Sequence, residues 1–194
     1  TGDLVRVSVT ATSGVRPDKG NEKSGWYVIN VVDNHIFANY GNWRTGTEFK
    51  WSSVAVNKLT PDQRQDLQAK IKQAQEEARQ EKLTRYEEVA KDCEQRFQSY
   101  SEVIKHPYLE SKQIKSYSLK LHNKALVVPI YNTQGDLRSL QYIQEDGQKR
   151  FVSAGEVKGN LFLIGTDFKS LEKIDSLVVV EGMATGASVY EATG

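Results

Sequence analysis

The spacing of apolar residues changes twice along the chain. In the first stretch, Leu4-Val5-Arg6-Val7-Ser8-Val9-Thr10 alternates apolar and polar side chains, the mark of a strand covered on one face. Residues 14–25 are polar and rich in turn formers and are predicted as a loop. Residues 26–32 and 35–40 are predicted strands joined by Asp33-Asn34, a two-residue hairpin connection. Gly41-Asn42-Trp43-Arg44-Thr45-Gly46 reads as a tight segment, followed by a short strand over 47–51.

From Thr60 the spacing becomes helical. Thr60-Pro61-Asp62 supplies a hydroxyl cap, a proline in the first turn and an acid near the positive helix end. Leu67, Ile71, Ala74, Ala78, Tyr86, Ala90, Cys93, Phe97 and Tyr100 then follow at steps of mostly three and four. The stretch 73–88 is almost wholly polar, which fits a spacer or a loosely packed coiled-coil arm better than a core helix. It is also what any solvated helix face shows.

After His106-Pro107-Tyr108-Leu109 the pattern turns to short strands, at 125–131 and 137–144, with Asn132-Thr133-Gln134-Gly135-Asp136 as the hairpin loop. Asp146-Gly147 marks a turn, Lys149-Arg150-Phe151-Val152 is short and extended, and 160–165 is a further predicted strand. A helical turn over 167–173 leads to Leu177-Val178-Val179-Val180, predicted as a strand buried on both faces, and then to a helix over 183–193. The sum is an α+β chain in three parts: a small β-rich domain at 1–53, a long charged helix or linker at 54–104, and a core at 105–194.

The 194 residues carry 26 Lys+Arg against 25 Asp+Glu, so any nucleic-acid site must be a local patch rather than a global field. Cys93 is the single cysteine, which excludes an internal disulfide and a cysteine-based zinc site within the chain and makes a reducing cytoplasm the simpler expectation. His35, His106 and His122 lack metal-ligand spacing. No stretch is long and apolar enough to span a membrane. Thr1, in place of an initiator Met, and Gly194, just after a helix, read as cut ends.

Candidate chemistry concentrates where the last predicted strand ends. Glu181 follows four apolar residues, and Gly182 removes a side chain where something must approach the backbone. Strand, acid, glycine and helix can build an acid site at the carboxyl edge of a parallel sheet; a solvent-facing strand-end glutamate has the same sequence look. Lys149 and Lys158, expected in loops, suit phosphate contacts or are plain surface lysines. Trp43 and Arg44 are the aromatic and basic pair most exposed in the first part, whose other aromatics serve a core or a base-stacking surface. Gly155, Gly159 and Gly165 form neither a dinucleotide fingerprint nor a P-loop. Cys93 lies on the apolar helix stripe and reads as a packing residue.

The order HPYL-SK, LVVPIYNTQGDLRSLQYIQEDGQKRF, GEVKGNLFLIG and VVVEGMATGASVYEATG resembles the TOPRIM-type core of plasmid and phage DNA primases, including the conjugative-plasmid type. The upstream GWYVINVVDNHIFANYGNWRTGTEFKW is similar to the small domain such proteins carry before a long charged helix. The resemblance implies that the chain holds the leading part of that core. It implies a role in making short RNA primers on single-stranded DNA from nucleoside triphosphates, in plasmid or phage replication or conjugation. It assigns Glu181 to proton transfer or metal binding, and Lys149, Lys158 and Arg150 to nucleotide or template phosphate. Mg²⁺ or Mn²⁺ is the implied metal, with its Asp-x-Asp ligands expected beyond Gly194, so that the chain alone would be inactive. The zinc-binding domain of many primases is not seen. A replicative helicase is a further implied partner. A non-catalytic single-stranded-DNA or helicase-binding module stays open beside this, as does a TOPRIM nuclease or topoisomerase.

Overall fold

The computed structural model describes residues 3–10, 16–32, 35–54 and 59–194. They fall into two compact units, 1–81 and 82–194. The first holds an antiparallel meander of β1 (Val5–Val7), β2 (Gly25–Val32), β3 (His35–Asn42) and β4 (Thr47–Ser52), in that order across the sheet. Val32 pairs with His35; the predicted connection Asp33-Asn34 and the start of the predicted loop at Gly14 lie outside the described residues.

The register sorts this sheet into two unlike faces. Val5 pairs with Tyr27, Tyr27 with Tyr40 and Tyr40 with Phe49, so these four share a face. Ile29, Ala38 and Trp51 form the next row of it, and Val31 with Ile36 the last. Arg6, Trp26, Asn30, Asn39 and Lys50 belong to the opposite face. Among the strand residues, no charged side chain lies on the first face.

Helix α1 (Pro61–Ser99) starts on a reciprocal capping box. The backbone N–H of Gln63 donates to Thr60 Oγ1 at 3.3 Å, and that of Thr60 donates to Gln63 Oε1 at 3.0 Å. Leu67, Ala90 and Cys93 are buried, and Ile71, Ala74, Ala78, Tyr86, Phe97 and Tyr100 are half-buried, so the predicted stripe is the covered one. The two units divide inside this helix, between Glu81 and Lys82, rather than on either side of it.

The second unit is built on an antiparallel sheet of β5 (Ser101–Glu102), β6 (Lys120–His122), β7 (Ala125–Tyr131), β8 (Leu137–Ile143) and β9 (Lys149–Phe151), again in chain order. Leu126, Val128 and Ile130 turn to one face, where α2 (Pro107–Lys112) and α3 (Met183–Thr193) pack through Tyr108, Leu109, Met183 and Ala187. Val127 and Leu140 turn to the other, against Cys93, Val89 and Phe97 of α1. β7 is therefore sandwiched, which is why Ala-Leu-Val-Val-Pro-Ile has no alternation. His106 caps α2: its Nδ1 accepts from Tyr108 N–H at 3.2 Å, which puts the ring proton on Nε2 for donation to the Lys124 carbonyl at 2.9 Å.

Two predicted strands are corrected. Within 160–165 only Leu161 pairs, in an isolated antiparallel bridge with Tyr131, and positive φ at Gly159 and Gly165 closes both ends of the segment. Leu177-Val178-Val179-Val180 joins no ladder, and its first three residues are 59, 64 and 84% exposed. No described strand lies beside it to satisfy its backbone; only Val180 packs, its Cγ2 lying 3.2 Å from where a Cβ on Gly186 would stand. All described ladders are antiparallel, so Glu181 does not sit at the carboxyl edge of a parallel sheet here.

Candidate functional site

The start of α3 is where the chain brings predicted site residues together. Gly182 is the N-cap, extended at φ −141° and ψ 144°, and contributes no side-chain cap to the helix. The first N–H groups of α3 are left with the positive end of an eleven-residue helix behind them. Lys149 reaches this point from β9. Its Nζ lies 3.7 Å from where a Cβ on Gly182 would stand, and apart from Gly182's chain neighbours nothing else comes within 4 Å of that position. Glu181, one residue earlier, is exposed and has no ion pair or hydrogen bond among the described residues. A free carboxylate and an ammonium group thus flank the backbone at an uncapped helix start.

Register explains why Lys149 is the residue that arrives. Lys149 pairs with Ile143, which pairs with Leu126 on the α2–α3 face of the sheet. Arg150 pairs with Tyr142 and shares the α1 face with Val127. The structure therefore separates Lys149 from Arg150 by the thickness of the sheet. Lys149 lies inside β9 and not in a loop, whereas Lys158 does lie in a turn, exposed and without an ion pair among the described residues.

Sequence reasoning passed over Lys112 and Tyr108. Lys149 Nζ and Lys112 Nζ stand 5.8 and 6.0 Å from the centroid of the Tyr108 ring. These three, with Ser111, Glu145, Asp146 and Gly147, line a depression of about 350 Å³. The HPYL-SK string holds Tyr108 and Lys112 four residues apart on one helix face, and that spacing was the available signal. A second depression, of about 480 Å³, lies beside α2 on the side of Glu191, whose carboxylate accepts from Lys115 N–H and Tyr117 Oη at 2.8 Å each. Those bonds hold the Glu191 carboxyl below its ordinary value, while burial and then the bond to Glu191 push Tyr117 up to about 12.

In the first unit, Trp43 is exposed and lies tilted against Trp26, at 31° with ring centroids 5.3 Å apart. Arg44 is committed within its own unit. It donates to Asp18 at 2.5 Å, to Glu22 at 2.9 Å and to the Arg16 carbonyl at 3.0 Å. The Asp18 carboxylate also accepts from Ser24 N–H at 2.8 Å and Val9 N–H at 2.9 Å, and these backbone bonds, led by Ser24, hold its pKa far below the usual carboxylate range. A guanidinium held this way ties the 43–46 turn to the preceding loop and has little left for a phosphate.

Among the described residues no group of three His, Cys, Asp or Glu side chains is placed to hold a metal ion. Glu181 is a single carboxylate and not a metal site. No described helix is long and apolar enough to cross a membrane.

The fold is thus α+β, and its candidate site sets an ammonium group and a carboxylate beside the open start of a helix. The chain is 32% identical over 181 residues to a protein of Escherichia coli named DNA primase TraC, an overlap of 91% of this chain and 17% of that protein. A second E. coli protein of the same name is 30% identical over 187 residues, which is 92% of this chain and 13% of the other. The chain spans less than a fifth of the length of these curated relatives. No protein-family model and no solved structure matches it.

Proposed function

We propose that this chain belongs to a plasmid or phage DNA primase and carries the leading half of its TOPRIM-type catalytic core. The reaction is nucleotidyl transfer on a single-stranded DNA template: a 3′ hydroxyl attacks the α-phosphorus of a nucleoside triphosphate and pyrophosphate leaves. Negative charge builds on the phosphate oxygens, so the site needs cations and oriented N–H donors. Lys149 beside the open start of α3 offers both to one phosphate. Glu181 is free to take the proton of the attacking hydroxyl or to serve as one metal ligand. The residues present do not make a Mg²⁺ or Mn²⁺ site by themselves. A divalent metal held at Glu181 would need further acidic ligands beyond those among the described residues. Lys158 and Arg150 are assigned to template contacts, Arg150 on the opposite face of the sheet. The cytoplasm is the proposed compartment, and a replicative helicase the proposed protein partner.

The observation that carries this is the placing of Lys149 Nζ at Gly182, next to Glu181, in a chain similar to proteins named DNA primase. In the intact protein, Glu181→Gln is expected to lower primer synthesis at least about a hundredfold with thermal stability unchanged, since the side chain is exposed and has no partner among the described residues. Lys149→Ala is expected to weaken template or nucleotide binding and to reduce its salt slope by about one ion. Priming near the starting level in Glu181→Gln would remove the acid from the mechanism. A second reading, a non-catalytic single-stranded-DNA or helicase-binding module, is favoured by the lone carboxylate. Salt-dependent DNA binding by the intact protein without nucleotide incorporation would select it.

A further inference from the structure

The β1–β4 sheet is turned the wrong way for an isolated domain. Its uncharged face, the one that carries Tyr27, Tyr40, Phe49 and Trp51, is the face left open. Eight of its apolar side chains are 38–62% exposed, whereas Trp26, Val28 and Phe37 on the mixed face are half-buried. Tyr40 and Phe49 already stack on one another at 5.5 Å and 25°, so the surface is pre-formed. The open side chains amount to on the order of 600 Å² of apolar area, at the upper limit for the largest patch on an ordinary monomer.

We propose that this face is the contact surface for a second copy of the chain, two sheets packing face to face about a two-fold axis. Area and charge both favour that occupant. Two such faces bury on the order of 1,200 Å² in all, within the range of specific stable interfaces. A face with no charged strand residue brings no like charges together when it meets itself, and a self-complementary patch is what a two-fold contact requires. Twisted antiparallel sheets pack stably in this way, about 10 Å apart, as in a β-sandwich. Single-stranded nucleic acid is the poorer fit. It needs cations beside the aromatics, and Arg6 and Lys50 project from the opposite face while Arg44 is held by Asp18 and Glu22. Half of the open face is aliphatic and gives a base nothing to stack on. The inference does not depend on the primase proposal.

Sedimentation of the 194-residue chain over a wide concentration range tests it. A monomer–dimer equilibrium is expected, weakened at least about a hundredfold by Ile29→Lys and by Phe49→Lys, because each would bury an unpaired ammonium. Both positions are exposed, so far-ultraviolet circular dichroism should not change. Should either variant misfold, the unaltered chain decides alone. A monomer at every concentration overturns the proposal, and so does a dimer that survives both substitutions with the fold intact. A monomer that binds oligothymidylate, and loses that binding in Phe49→Lys, overturns it in favour of a nucleic-acid surface.

Discussion

The tripeptide Leu-Val-Val occurs twice, with opposite fates. Leu126-Val127-Val128 lies in β7 at no more than 1% exposure, with β6 on one side and β8 on the other. Leu177-Val178-Val179 is exposed and belongs to no sheet. Composition is identical, so the difference lies in what surrounds each copy. β7 follows β6 after the two-residue turn Asn123-Lys124 and is followed by β8 across a five-residue loop, so its backbone groups are paired locally. The second copy has α3 after it and no strand near it in sequence to pair with. A run of β-branched residues encodes a demand for burial on two faces; neighbouring strands decide whether it is met.

The largest expected effect breaks the comparison directly. Leu126→Ala removes a side chain at 0% exposure from the core shared with α2 and α3 and should cost about 2–5 kcal/mol. Leu177→Ala should fall within about 0.5 kcal/mol, as exposed positions do. Denaturant midpoints of the two variants in the 194-residue chain make the measurement. Similar losses would mean that the second run is packed and that the contrast is not real.

That contrast marks how far the sequence could be read. The hairpin β7–β8, the start of α1 at Thr60-Pro61 and the helix over 183–193 follow from patterns that are local: a turn, a cap and a helical period. The stripe on α1 was legible because burial there repeats every three or four residues. Residues 177–180 misled because partner strands leave no trace in the run itself. At the candidate site, Glu181 and Gly182 stood out by adjacency. That Lys149 and not Arg150 reaches Gly182 depends on the β8–β9 register, which one residue of slip would reverse. The depression formed by Tyr108, Lys112 and Lys149 joins residues about forty positions apart, a distance no motif spans.

A smaller effect tests the other face of β7. Arg138 of β8 is 12% exposed and donates to Glu87 of α1 at 2.6 Å and to Glu156 at 2.8 Å. The bond from Arg138, above all, holds the Glu87 carboxyl below its ordinary value. A depressed acid adds stability in full above its unfolded value, near pH 4.3, and that gain fades as the pH falls through the folded value. Arg138→Ala should therefore cost about 1 kcal/mol at neutral pH, a figure already reduced for the exposure of Glu87, and less near pH 3. Melting temperatures at the two pH values provide the check. An equal loss at both would show that Arg138 contributes by packing alone.

The smallest effect sharpens the point at one atom. Ser139 pairs with Ile130 across the β7–β8 ladder, on the α2–α3 face, and is fully buried. Its Oγ has no hydrogen-bond partner among the described residues, and Gly155 crosses so close to it that a Cβ on that glycine would collide with the hydroxyl. A buried hydroxyl without a partner carries its desolvation cost uncompensated. Ser139→Ala should then be neutral or stabilising by up to about 1 kcal/mol, the reverse of the usual core truncation. Gly155→Ala should destabilise, and Ser139→Ala should relieve part of that loss in the double variant, since the two sites share one contact. A loss from Ser139→Ala alone would mean that its hydroxyl has a partner, such as an ordered water. In that case packing at this edge of β7 would be set by a polar contact, not by the apolar fit that distinguishes the first Leu-Val-Val from the second.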